Sequence, residues 1–243
     1  MKVSVCPLYT LLKEEQPSDA VNVVIDTLRM TSVAVTALEN GCARLRVTES
    51  PDEARRLAAE TGALLGGERQ AVRIEGFDLS NSPLEYTKER VAGRSLVMTT
   101  TNGTRAVLTA ARLGRVRLGC LLNARALARS LFGESEVRLV LAGTNGRFSL
   151  EDAVTAGAII ERLDGIIEWF GAAMCELDDM ALASLMLWQA ARDDLHARLG
   201  GVAHYRRLKS LGYEGDLRFC LTLDALDAVP ELGEDGWFRA KQE

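Results

Sequence analysis

Carboxylates, arginines and glycine turns are the groups in this 243-residue chain whose types and spacing could do chemistry. Asp26 stands directly after the apolar run 21–25, Glu68 follows the pair Gly66-Gly67, and Glu75, Glu151 and Asp152 complete a set of hard oxygen donors. Such donors suit magnesium, which takes one or two protein carboxylates and fills its other positions with water and phosphate oxygens. Glu151 and Asp152 have a second reading, because the helix dipole and capping alone favour acids in a first helical turn. Arg29, Arg105 and Arg147 each lie within a few residues of a polar turn. There a guanidinium can hold phosphate, carboxylate or sulfonate through two parallel hydrogen bonds. Two of the turns repeat a tripeptide, Thr101-Asn102-Gly103 and Thr144-Asn145-Gly146. A glycine turn that opens a helix presents unpaired N–H groups and a positive dipole end to an anion.

Elimination narrows the chemistry further. Only two histidines occur, His196 and His204, and neither falls in a polar turn, which argues against a histidine nucleophile or a histidine-rich metal site. No Asp-x-Asp pair supports a haloacid-dehalogenase-type aspartyl-phosphate route, and Cys120 and Arg125 stand one residue too close for a Cys-x5-Arg loop. The nucleophile elbow, the Walker phosphate loop and the dinucleotide fingerprint are also absent. A net charge of −5 opposes nucleic acid and anionic membranes as partners. The five cysteines are scattered, odd in number and never in a Cys-x-x-Cys pair, so they read as reduced and mostly buried thiols. No apolar run approaches the roughly 18 residues of a membrane span, and the run at the N-terminus is too short for a signal peptide. A soluble protein in the cytoplasm is the expectation.

Strand-turn-helix units must position these groups. Apolar β-branched runs at 21–25, 95–99, 116–121 and 137–141 each lead through a polar turn into a helical stretch, at about 33–40, 106–114, 124–132 and 150–163. Thr31 or Ser32 is expected to cap the first of these helices, Asn123 the third, and Ser149 the fourth. This alternation predicts an α/β fold, three layers deep, with a mixed and mainly parallel sheet covered on both faces. Ligands in such sheets collect at the carboxyl ends of the strands, where all the polar turns fall. Residues 66–86, rich in Gly, Ser, Asn and charge, read as a long functional loop or a pair of short strands. The chain turns strongly helical after Glu176. No low-complexity linker divides it, so one compact domain over 1–243 is expected. The repeated Thr-Asn-Gly turn points to an internal duplication, with similar halves at about 1–133 and 134–243.

Five segments resemble, in order, the 2-phosphosulfolactate phosphatase family. They are Val24-Ile25-Asp26-Thr27-Leu28-Arg29-Met30-Thr31-Ser32 with Ala37-Leu38-Glu39-Asn40-Gly41, then Gly66-Gly67-Glu68-Arg69 with the stretch from Glu75 to Tyr86, Thr99 to Ala106, Ala142 to Asp152, and finally Asp216 to Cys220 with Val229-Pro230. The resemblance implies magnesium-dependent hydrolysis of (2R)-2-phospho-3-sulfolactate to 3-sulfolactate and phosphate, a step associated with coenzyme M biosynthesis, and a duplicated α/β/α architecture. Met30 replaces an expected smaller residue, and the stretch from His196 to Tyr205 departs from the familiar pattern, which leaves room for an altered pocket.

On this reading Asp26, Arg29, Arg105 and Arg147 are catalytic. Thr31, Ser32, Asn81, Thr101, Asn102, Gly103, Asn145 and Gly146 hold the substrate, a small anionic phosphorylated carboxylic acid. Asp26, Glu68, Glu75 and Asp152 are the candidate magnesium ligands, and a homo-oligomer is compatible with the chain. Water is the expected nucleophile, with a phospho-enzyme on Asp26 as the rival route. Two other readings use the same groups: a phosphatase for a different phosphorylated hydroxy acid, and a non-catalytic binder of an anionic metabolite. Asp26, Arg29, Glu68, Asn102, Arg105, Asn145 and Arg147 are expected to converge on one cleft.

Overall fold

The structure, a computed structural model, describes residues 1–171 and 174–241. Among them eleven strands form one sheet: β1 (Lys2–Cys6), β2 (Val21–Ile25), β3 (Arg44–Val47), β4 (Leu64–Arg69), β5 (Val72–Arg73), β6 (Ser95–Thr99), β7 (Val116–Gly119), β8 (Glu136–Leu141), β9 (Glu176–Leu177), β10 (Pro230–Leu232) and β11 (Phe238–Ala240). The helices are α1 (Met30–Glu39), α2 (Pro51–Thr61), α3 (Lys88–Val91), α4 (Gly103–Ala110), α5 (Ala124–Leu131), α6 (Leu150–Trp169), α7 (Asp179–Ala191), α8 (Leu195–Leu199), α9 (Ala203–Ser210) and α10 (Glu214–Cys220).

The strand order is β5-β4-β6-β3-β11-β10-β7-β2-β8-β1-β9. Two parallel blocks, β4-β6-β3 and β7-β2-β8-β1-β9, are joined by the antiparallel hairpin β10–β11, which pairs with β7 on one side and β3 on the other. Both faces of the sheet are covered. Val21, Val23 and Ile25 of β2 pack with α5 and α6, while Val24 between them packs on the opposite face with α1 and α4. The same alternation in β6 sends Leu96 and Met98 to α1 and Val97 to Ala54 of α2. A run of β-branched residues buried on both sides is what a central parallel strand requires. The α/β architecture with a mixed, mostly parallel sheet is therefore the one expected.

The two expected halves do not separate in this sheet. Strands β1, β2 and β7, from before residue 133, lie in the same block as β8, from after it. The late helices α8, α9 and α10 stand apart from the two main cores. Leu208, Leu217 and Cys220 of α9 and α10 form a small cluster with Leu28 and Ala71. That cluster docks the C-terminal helices onto the turn after β2 and the turn after β4.

Candidate active site

Parallel pairing brings four strand ends together. Ile25 of β2 is in register with Leu141 of β8, so Asp26 lies beside Ala142, whose N–H donates to the Ile25 carbonyl at 2.9 Å. Gly67 of β4 is in register with Thr99 of β6, so Glu68 meets the turn that follows β6. Only glycine fits at 67, where φ is +142° and a Cβ would lie 2.1 Å from the Thr99 carbonyl oxygen. The resulting cleft has a volume of about 390 Å³ and is lined by Asp26, Leu28, Arg29, Glu68, Gln70, Ala71, Asn81, Thr100, Thr101, Asn102, Thr144, Asn145, His204, Arg207 and Leu208.

The acids do two kinds of work. Glu68 accepts hydrogen bonds from the N–H groups of Ala71 at 2.6 Å and Thr101 at 2.8 Å, tying the β4–β5 turn to the turn after β6. Asp152 accepts from the N–H groups of Thr27 at 3.0 Å and Gly143 at 3.1 Å, tying together the turns after β2 and β8. Ser149 caps α6 by accepting from the Asp152 N–H at 3.3 Å, as its spacing predicts. Asp26 is freer. It accepts weakly from the Met30 N–H at 3.4 Å, and its carboxyl is pushed up to about 7, chiefly by burial and further by the negative charges of Glu68 and Glu151. Burial also holds Asp152 well above the usual carboxylate range, with Asp26 and Glu151 adding repulsion.

The two Thr-Asn-Gly turns meet in space although β6 and β8 belong to different blocks. The Asn145 N–H donates to Asn102 Oδ1 at 3.1 Å, and Asn145 adopts a left-handed φ of +53°, a conformation asparagine tolerates. Two residues lining the cleft carry a buried polar atom with no hydrogen-bond partner among the described residues, Asn81 Oδ1 and Thr101 Oγ1; Glu151 Oε2, which does not line the cleft, and Ser184 Oγ on α7 are unpaired as well. Buried polar groups in folded proteins are rarely left unpaired, which makes Asn81 and Thr101 candidate ligand contacts.

Asp26, Arg29, Glu68, Asn81, Thr101, Asn102 and Asn145 thus line one cleft. Other expected residues are placed differently. Thr31 and Ser32 do not cap α1: the helix begins at Met30, and their hydroxyls turn inward to the carbonyls of Asp26 and Thr27, each at 2.8 Å. Gly103 lies beneath Asp26, where a Cβ would stand 2.5 Å from Asp26 Oδ2. Gly146 and Arg147 are exposed on the far side of a tight turn closed by Thr144 and Arg147, and neither lines the cleft. Arg105 is exposed and lines a separate groove with Lys13, Glu49 and Arg112. Glu75 is exposed and outside the cleft. Arg29 does reach the cleft, but its guanidinium is buried, paired with Asp216 and stacked 4.0 Å over the Tyr213 ring. Residues that turn chemistry did not point to also appear: Gln70, His204 and Arg207. His204 and Arg207 stand three apart on α9, a spacing that shares a helix face, but no local motif ties that helix to a strand end.

No group of three or more His, Cys, Asp or Glu side chains among the described residues is arranged to hold a metal by itself, so the expected four-carboxylate set is not assembled. Asp26 and Glu68 on the wall, with the unpaired oxygen of Glu151 behind Asp26, nevertheless fit a hard divalent cation that keeps waters and substrate oxygens. Among the described residues no helix is long and apolar enough to cross a membrane. All five cysteines are free.

Together these features describe an α/β protein with an acid-walled ligand cleft at the carboxyl ends of its parallel strands. A family model described as 2-phosphosulpholactate phosphatase matches residues 6–235. The chain belongs to this family of phosphoric monoester hydrolases. It is 42% identical over 239 residues to a "probable 2-phosphosulfolactate phosphatase" of Caldanaerobacter subterraneus, covering 97% of this chain and 96% of that one. Proteins of the same description from Caldicellulosiruptor saccharolyticus and Clostridium novyi are 41% and 39% identical, each over 96% of this chain and 97% of their own length.

Proposed function

We propose that the chain hydrolyses (2R)-2-phospho-3-sulfolactate to 3-sulfolactate and inorganic phosphate with the aid of magnesium, in the cytoplasm and within a coenzyme M type of pathway. The observation that carries this reading is an acid-walled cleft, edged by unpartnered polar atoms, in a chain that aligns end to end with relatives of that description. Asp26 and Glu68 would hold the cation, with Glu151 as a reserve donor. When bound, magnesium would neutralise phosphoryl charge in the transition state. The side chains of Thr101, Asn102 and Asn81 would hold the phosphoryl oxygens, with the two touching turns fixing their spacing. With no cation present, burial and the charges of Glu68 and Glu151 push the Asp26 carboxyl up to about 7; a bound cation would favour its ionised form, which suits Asp26 to the ligand role. Water supplies one oxygen and two protons, and the alcohol and phosphate leave separately.

A panel of esters tests the reading: 2-phosphosulfolactate, 2-phospholactate and phosphoglycerate, each with magnesium and with chelator. Rapid turnover of the sulfonate ester that chelator abolishes and magnesium restores is the expected result. Preference for an ester lacking sulfonate would move the assignment to another hydroxy acid. Tight binding without turnover would replace catalysis by metabolite binding.

A further inference from the structure

The cleft has an acidic wall and needs a cationic one. A phosphorylated acid carries a second negative group beyond its phosphoryl group, and Asp26 and Glu68 repel it. Three basic side chains line the cleft, and they differ in what already occupies them. Arg29 is neutralised by Asp216. His204 is tied through Nε2 to the Leu28 carbonyl at 2.8 Å, and since a carbonyl only accepts, Nε2 carries the hydrogen. Arg207 has no carboxylate partner among the described residues. One of its terminal nitrogens donates to the Gln70 carbonyl at 2.9 Å, which aims the guanidinium and leaves its other N–H groups for a ligand. Gln70 and Ala71 form the two-residue loop of the β4–β5 hairpin, which requires their left-handed φ values of +55° and +68°, and Glu68 pins that loop by accepting from the Ala71 N–H at 2.6 Å.

We propose that Arg207, aimed by Gln70 and flanked by His204 on the same face of α9, binds the acid group of the substrate that is remote from the phosphoryl group. It thereby determines specificity for phosphate esters with a second acid. The inference rests on the phosphatase reading and adds to it the residue that recognises the substrate's tail.

The test compares wild type with Arg207→Gln and Arg207→Lys on three esters: 2-phosphosulfolactate, 2-phospholactate and phenyl phosphate, which has no second acid. Calorimetric binding of 3-sulfolactate and of inorganic phosphate is measured on the same proteins. Arg207→Gln is expected to lower kcat/KM for the acid-bearing esters by about 10- to 100-fold, through KM. Phenyl phosphate turnover and phosphate binding should stay within about twofold, and the lysine variant should fall between. A loss confined to 2-phosphosulfolactate assigns Arg207 to the sulfonate; a loss on 2-phospholactate as well assigns it to the carboxylate. Equal losses on all three esters, or equal weakening of sulfolactate and phosphate, would reduce Arg207 to a brace for the turn and overturn the proposal. So would no loss at all, or failure of wild type to bind 3-sulfolactate. If wild type hydrolyses no ester while sulfolactate binding still depends on Arg207, the phosphatase reading falls and the recognition role stands.

Discussion

Asp26 is buried among acids, and its ionisation is opposed by burial, by Glu68 and by Glu151. Its carboxyl rises from 3.8 to about 7, so between those values the folded chain keeps a proton that the unfolded chain has lost. In cation-free buffer its contribution to stability is fully present below about pH 4, declines as pH rises and levels off above about pH 7. Chemical denaturation across that range should show a shallower decline in Asp26→Asn, with Asp152 supplying the remaining slope in the same direction. The same variant should lose on the order of 10³-fold in kcat/KM, the loss of several kcal/mol of charge stabilisation. At Arg29 the opposite logic holds. Removing its partner by Asp216→Ala leaves a buried guanidinium uncompensated and should cost about 3–5 kcal/mol in urea denaturation. Asp26, Asn102 and Asn145 were legible in the sequence because they stand at or within a few residues of strand ends, and Glu68 because it follows a glycine pair near the end of β4. Arg29, Arg105, Arg147 and Glu75 stand equally near turns, yet sequence distance does not specify side-chain direction. One became an ion pair and three face solvent outside the cleft.

Among the elements, α4 is set close against the site. Its first residue, Gly103, leaves no room for a side chain: a Cβ would stand 2.5 Å from Asp26 Oδ2 and 2.8 Å from Met30 Cβ. Gly103→Ala should destabilise by about 1–3 kcal/mol, read from the thermal midpoint, and displace Asp26 enough to depress turnover. Gly67→Ala clashes with main chain that cannot swing aside, and should be the more damaging of the two. The regular elements β2, β6 and β8 and the helices following them could be read from apolar runs and turns. Strands β10 and β11 could not, being three residues long and too short for periodicity to register, and β3 alternates arginine with its apolar residues instead of forming an apolar run. Helix α9 reads as a polar helix with no visible tie to the site, because its placement depends on Leu208 packing beside Leu28 and Ala71, far away in sequence.

At the scale of the whole molecule, the hairpin β10–β11 joins two parallel blocks that otherwise would not share a sheet. Phe238 of β11 is fully buried in the core beneath α1 and α4. Phe238→Ala should cost about 3–5 kcal/mol, and a single cooperative melt should become broader if the blocks uncouple. The cleft draws Asp26 from one block and Glu68 from the other, so uncoupling should depress turnover together with cooperativity. The ends of this wide sheet have a consequence for behaviour in concentrated solution. Its outermost strands, β5 and β9, are two residues long, so neither offers more than a brief row of free main-chain donors and acceptors. A long bare edge templates the pairing of neighbouring molecules into fibrils, and here both edges are cut short. If copies of the chain associate, they meet through side chains and not by adding strands, and an amyloid dye should stay dark on a concentrated, unheated sample.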